Sequence, residues 1–397
     1  MGGTVPAGEA IGLDRAVRIR SLAGVIAAMC VVNLVYGITF PLLALVLDQQ
    51  SVSKTLIGLN TMTQALSILV LAPAAPRLLA RFDPARIMQS SGVCLAVLFI
   101  LAGWWQNVYF WFPLRFVIGA LTALLWISSE ALINQLAPEQ WRGRVIGIYS
   151  SVGAAGFALG PLLLILTGSQ GLMPFVTTAG MVLASAVPLF LVAPMVRSGD
   201  EARPVGLWQV FRQAPVIMLG NLVYAAAVES MITFFPLFGM HLGLSEDFAL
   251  SLMTLTGIGG MVLVLPLGWL ADHVNRLGML LVCVVLTIGG LLLMPLVVAA
   301  PGLVTAAFIF VFGGVEGMIY TLGVALVGAR FSGAALAAAS TAFTTCWGAG
   351  TIVGPLLSGI GMDRWGAGSL AWIAAAFFIL YLPAPLSAWL RSRKSGA

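Results

Sequence analysis

Charge is the scarcest property of this chain. Only 8% of its 397 residues are Asp, Glu, Lys or Arg, where a soluble domain carries roughly 25%. That scarcity excludes an ordinary water-facing surface. With 60% hydrophobic residues and a mean hydropathy of +1.05, the chain is expected to lie within a membrane. Cysteine and histidine are also sparse. Cys30, Cys94, Cys283 and Cys346 all fall inside apolar stretches without metal-ligand spacing, so no disulfide scaffold is expected. His241 and His273 are far apart in sequence and offer no metal site. Nucleophile–base pairs, phosphate loops and nucleotide motifs are missing too. The expectation is a protein that is not an enzyme, holds no cofactor or metal and is not driven directly by ATP.

What is present is hydrophobic length. About twelve apolar stretches follow one another, at 19–47, 55–76, 86–104, 108–135, 143–167, 172–195, 214–240, 247–271, 277–299, 303–329, 334–360 and 368–390. Each is close to or beyond the roughly 20 residues that cross about 30 Å of hydrocarbon, and the longer ones imply tilt. The first, 19–47, is too long for a signal-peptide core and reads as a span. The longest hydrophilic stretch between spans, 196–213, holds Pro204 and opposed charges. It divides the chain into 1–195, a linker at 196–213, and 214–397.

The two parts repeat each other. "FVIGALTALLW" at 116–126 is echoed by "FVFGGVEGMIY" at 310–320, and "GFALGPLL" at 156–163 by "GTIVGPLL" at 350–357, both at an offset of 194. "NLVY" also occurs twice, at Asn33–Tyr36 and Asn221–Tyr224, at an offset of 188. A duplicated polytopic membrane protein is most simply a transporter that rocks one half against the other.

Basic residues set the expected orientation. With the N-terminus inside, sixteen of the 19 Lys and Arg fall in inner segments, at 15–20, 77–86, 142–144, 197–212, 276, 330 and 391–394. Lys54 and Arg364 fall outside, and Arg115 lies within a span. This asymmetry follows the positive-inside rule and puts both termini in the cytoplasm. It also explains the net charge of +5 and pI near 9.3 without nucleic acid.

The loop "GWLADHVNR", 268–276, resembles a signature of the major facilitator superfamily in its Gly268, Asp272 and Arg276. The equivalent first-half loop, "PRLLARFDPAR" at 76–86, has Pro76 near the family's Gly and Ala80 in place of its Asp. Arg115 to Gly119, "RFVIG", resembles the family's span-4 signature. Glu130 with Arg142, Gly143 and Arg144 resembles its carboxylate and Arg-Gly-Arg pair at the inner ends of spans 4 and 5. Gly147, Gly156, Gly160 and Pro161 match the antiporter signature on span 5, without its closing Gly-Gly, where Leu164 and Ile165 stand. The resemblance covers nearly the whole chain and is nearest to bacterial twelve-helix drug and sugar exporters. It implies an all-α membrane protein of twelve transmembrane helices in two pseudo-symmetric six-helix bundles. It also implies a central cavity lined by spans 1, 4, 7 and 10, and a structural latch formed by Gly268, Asp272, Arg276, Glu130, Arg142 and Arg144.

An ionisable side chain inside a membrane costs roughly 2.5–3.5 kcal/mol on insertion scales, so it needs a partner, water or a function. Arg115, Glu229 and Glu316 lie well inside spans 4, 7 and 10. Arg115, Thr122, Trp126 and Ser129 fall on one helical face at about 100° per residue; Arg115 either contacts substrate or braces the helix. Under the 194-residue offset Glu316 replaces Thr122, with Tyr320 one turn on. Glu316 and Glu229 are the expected proton-coupling groups, unless Glu316 simply pairs with Arg115. Asn33, Tyr36, Gln64 and Trp347 complete the expected substrate-binding set, with ordinary helix packing the plain alternative for each.

These features lead to a proton-coupled secondary active transporter of a small organic solute, working by alternating access. Two carboxylates against one arginine favour an exporter that exchanges protons for neutral or cationic amphiphiles. The rivals are an uptake symporter that holds an anionic metabolite on Arg115, and a lipid flippase. The expected partners are substrate, protons and the lipid bilayer, not nucleic acid. The chain is expected to be a monomer in a bacterial inner membrane. The orientation has a direct test. Single cysteines introduced near Gly199 should be shielded from impermeant thiol reagents in intact cells, and ones near Asp247 should react; the reverse pattern would invert the topology.

Overall fold

The computed structural model describes residues 14–71, 74–192, 207–300 and 302–394. Among these the chain is helical throughout, with no strand. The helices are α1 (Arg15–Gln49), α2 (Lys54–Leu71), α3 (Ala75–Arg81), α4 (Pro84–Trp104), α5 (Val108–Leu136), α6 (Arg142–Thr167), α7 (Met173–Ala186), α8 (Leu207–Gln213), α9 (Pro215–His241), α10 (Glu246–His273), α11 (Arg276–Val298), α12 (Leu303–Arg330), α13 (Gly333–Trp365), α14 (Leu370–Tyr381) and α15 (Pro383–Lys394). In lipid a helix is the one open-ended element that satisfies all of its own backbone groups.

The expected spans match these helices closely, with two breaks. The sixth passes from α7 into a short 3-10 turn at Pro188–Leu191, and the twelfth breaks between α14 and α15. Pro188 and Pro383 sit just past those breaks and remove the N–H that would continue the ladder. Eleven stretches among the described residues are long and apolar enough to cross a membrane. The expected span at 334–360 is not one of them. It lies in α13, whose 33 residues are ample in length but rich in Gly, Ala, Ser and Thr. Most of the expected linker, 196–206, lies outside the described residues; 207–213 is α8.

Helix starts follow local chemistry. Asp83 accepts from the Ala85 N–H at the start of α4, with Pro84 in the first turn. Asn107 accepts from Tyr109 and Phe110 at α5, Ser245 from Phe248 at α10, and Asn275 from Gly278 at α11. Each supplies an acceptor to donors that the helix cannot satisfy itself. α6 and α13 both end on left-handed glycines, Gly168 at φ 71° and Gly366 at φ 82°.

Contacts divide the chain into two compact units, 1–39 with 67–201, and 40–66 with 202–397. In the first, α4 packs on α5 and α7. In the second, α11 packs on α12 and α14, α10 on α12, and α9 on α13. The α4/α5/α7 and α11/α12/α14 groupings are the same arrangement twice.

Close backbone approach fixes the helices that carry candidate site residues. In the first unit a Cβ on Gly156 would collide with the Cys30 carbonyl oxygen, and one on Gly160 would sit 2.7 Å from the Leu34 carbonyl oxygen. In the second, a Cβ on Gly350 would collide with the Leu222 carbonyl oxygen and one on Gly354 with that of Ala226. So α6 lies on α1 as α13 lies on α9, through small residues. Backbone contact relates 30 to 222, an offset of 192, while the rings keep the "NLVY" offset of 188: Tyr36 lies against Trp126 as Tyr224 lies against Tyr320.

The second unit also holds the start of α2. The Asp363 carboxylate accepts from the Lys54 and Thr55 N–H groups, both at 2.8 Å, and from the Thr55 hydroxyl at 2.6 Å. Lys54 also pairs with Asp48. Asp363 lies past the expected end of the span at 360. Burial alone would push its carboxyl up; the bonds from Thr55 and Lys54, with the Lys54 charge, outweigh burial and hold it below the usual carboxylate range.

Valine at 354 would have to displace Ala226 backbone rather than a flexible side chain. Overpacking of this kind costs about 1–3 kcal/mol. Gly354→Val should lower the melting midpoint of the detergent-purified protein, while Gly289→Val, where a Cβ meets nothing within 4 Å, should not. Equal midpoints would mean that α13 does not depend on close contact with α9.

Candidate functional site

In the first unit α1, α5 and α6 bring several expected residues together. The Tyr36 ring lies 6.4 Å from Trp126 and 6.0 Å from Phe157, centroid to centroid. Arg115 is buried, at 1% exposure. The Thr122 hydroxyl donates to the Ile118 carbonyl at 2.8 Å and the Asn33 amide to the Met29 carbonyl at 2.8 Å, each within its own helix. Ser129 and Tyr149 share a 2.8 Å hydrogen bond that joins α5 to α6. Phe157 and Tyr149 lie outside the expected set. The glycine pattern of α6 drew notice to its small face and away from its rings.

The expected latch divides. Asp272 and Arg276 pair with each other, Nη2 to Oδ1 at 2.9 Å, one turn apart at an exposed helix end. Gly268 stands in open space, with nothing within 4 Å of a Cβ. Glu130, by contrast, forms no ion pair with Arg142 or Arg144 among the described residues. Pro76 and Ala80, which break the first-half signature, have side chains outside the described residues.

The second unit gathers the more unusual group. Tyr224 on α9 lies 6.0 Å from Tyr320 on α12 and 5.7 Å from Trp347 on α13. Tyr320 meets Trp347 edge-on at 5.4 Å and 82°, and Phe343 at 5.6 Å. One turn before Tyr320, Glu316 is buried at 6% exposure, and its Oε1 has no hydrogen-bond partner. Glu229 on α9 is buried at 3%. Gln64, at 2% exposure on α2, also belongs to the second unit by its contacts. The Asn221 amide donates to the Phe343 carbonyl at 2.6 Å and ties α9 to α13 beside the rings. Phase on α13 could have pointed to Phe343, which precedes Trp347 by one turn. The role of Asn221 needed the structure.

Chemically, the second unit offers a buried carboxylate next to four aromatic rings. No group of three or more His, Cys, Asp or Glu that could hold a metal occurs among the described residues. All four cysteines are free thiols.

A helical membrane chain with a repeated architecture and buried charges on repeat-equivalent helices has the features of a polytopic membrane transporter. The family profile of the Major Facilitator Superfamily matches residues 25–318 and 241–396, and the chain belongs to that superfamily. It is a multi-pass membrane transporter and not an enzyme. It is 25% identical over 342 residues to the uncharacterized MFS-type transporter YfkF of Bacillus subtilis (strain 168), covering 84% of this chain and 86% of that protein. Among solved structures it resembles the nucleoside transporter NupG, with a TM-score of 0.75 at 14% identity over 94% of this chain and 99% of that one. It also resembles a D-xylose-proton symporter, with a TM-score of 0.71 at 15% identity over 94% and 97%.

The Asn221 bond is buried, so losing it leaves an uncompensated cost of about 1–3 kcal/mol. Asn221→Leu should lower the melting midpoint and alter tryptophan emission through Trp347. An unchanged midpoint and spectrum would show that Asn221 does not hold α9 against α13.

Proposed function

We propose that this protein is a proton-coupled exporter that exchanges protons for a small organic solute by alternating access. The observation that carries the reading is Glu316. Its carboxyl is buried within a membrane-spanning helix, and Oε1 has no hydrogen-bond partner. A carboxylate so placed is costly when ionised. It can be held neutral in a dry state and release its proton when water reaches it, which is what a coupling group must do. Glu229, buried on α9, is the second such group. The D-xylose-proton symporter among the structural neighbours shows that proton coupling occurs on this fold.

The second-unit rings with Glu316 are the substrate-binding group of that unit, to which Gln64 also belongs, and Arg115, Thr122, Trp126, Tyr36 and Asn33 are the corresponding group of the first. Asp272 and Arg276 steady the inner end of α10. The membrane is a bacterial inner membrane with both termini cytoplasmic, and the working unit is a monomer. Export rests on the excess of acid over base, because two buried carboxylates oppose one arginine. Buried Arg115 supports one rival, uptake of an anionic metabolite; the direction of flux in energised inverted vesicles separates the two.

Glu316→Gln should leave the protein folded and able to exchange solute but remove accumulation driven by a pH gradient. Glu229→Gln should be milder. The measurement is solute flux in proteoliposomes with and without an imposed gradient. A Glu316→Gln variant that responds like the wild type would transfer the coupling role to Glu229.

A further inference from the structure

We infer that Tyr224, Tyr320 and Trp347 form a wall that binds a flat organic cation, with Glu316 as its countercharge. The inference rests on the transport reading above and names the class of its cargo. The three rings come from α9, α12 and α13, and all three touch, with centroids 5.4–6.0 Å apart. They are less enclosed than Trp111, which is 0% exposed: Tyr320 is 40% exposed, and Tyr224 and Trp347 are half-buried. Their accessible surface is π-face and edge, the geometry on which a planar ring stacks and over which a cation is attracted.

Charge chooses between ligand classes. Glu316 precedes Tyr320 by four residues, so both lie on one face of α12. Glu316 is buried, at 6% exposure, and its Oε1 has no hydrogen-bond partner among the described residues. The Tyr224 hydroxyl stands within electrostatic range of Glu316 and Glu229. An anion would meet two carboxylates. A neutral sugar would bring no countercharge to the Glu316 carboxylate. A flat cation meets rings on its face and a carboxylate at its charge.

The first unit repeats part of the wall without its charge: at the 194-residue offset Tyr320 and Glu316 correspond to Trp126 and Thr122, and Tyr36 lies against Trp126 as Tyr224 lies against Tyr320. At the same offset Trp347 corresponds to Gly153, so the third ring and the carboxylate are the second unit's own.

The test uses calorimetric titration of the full-length protein in detergent with two probes. Ethidium is flat and permanently cationic; phenanthridine is its neutral ring parent. The expectation is saturable ethidium binding, with phenanthridine weaker by about tenfold. Tyr320→Ala and Trp347→Ala should each weaken ethidium by about tenfold, while Tyr320→Phe and Trp347→Phe keep a ring and most of the affinity. Glu316→Gln should narrow the gap between the two probes. Absence of ethidium binding, equal binding of phenanthridine, or binding indifferent to loss of the rings would overturn the assignment. The titration needs no gradient, so its failure leaves proton-coupled flux standing, and loss of pH response in the flux assay leaves the wall standing.

Discussion

Two helices can touch through their backbones only where no side chain intervenes, and this molecule places that contact at the centre of each unit. Gly156 and Gly160 lay α6 on α1; Gly350 and Gly354 lay α13 on α9. With no hydrophobic force between helices in lipid, close van der Waals contact supplies much of the association. The distance between α9 and α13 then sets the rest. It allows Asn221 to reach the Phe343 carbonyl and brings Tyr224 within ring contact of Trp347. The aromatic wall is therefore a consequence of two absent side chains on α13. The span-5 glycines that resemble an antiporter signature have, in this chain, a direct mechanical role in helix contact.

Hydrophobic length made the helices legible, because a span must be long, apolar and continuous. The breaks at Val187 and Leu382 were less legible, since a proline in a membrane helix can be either accommodated or terminal. Internal repeats in the sequence recur as contacts: with 126 and 320 related at 194, Tyr36 and Tyr224 of the two "NLVY" copies meet equivalent rings, while backbone contact relates Cys30 to Leu222 at 192. Buried ionisable groups stood out at once, since Arg115, Glu229 and Glu316 break apolar runs. Their aromatic neighbours did not, because Phe157 and Phe343 look like any other lipid-compatible residue until a helix phase is known. The latch charges were the least legible: Asp272 and Arg276 pair four residues apart, while Glu130, twelve residues before Arg142, forms no ion pair among the described residues.

The two units share an architecture but not a chemistry. Where the first presents the Thr122 hydroxyl, bonded to its own helix, the second presents a carboxylate. Duplication supplied a symmetric scaffold, and substitution at one equivalent position concentrated acidity and rings on α9, α12 and α13. Arg115, the one buried arginine named among the site residues, stayed in the first unit.

Residues 40–66 carry a different consequence. They follow the first unit in the chain without interruption, yet they pack with the second, where Asp363 holds the start of α2 through three hydrogen bonds. The repeat visible in the sequence is therefore not a repeat of autonomous folding units. During synthesis the end of α1 and the start of α2 enter the membrane some three hundred residues before Asp363 exists. Their final neighbours arrive last, and the hairpin between them must wait in lipid as a provisional structure until α13 is inserted.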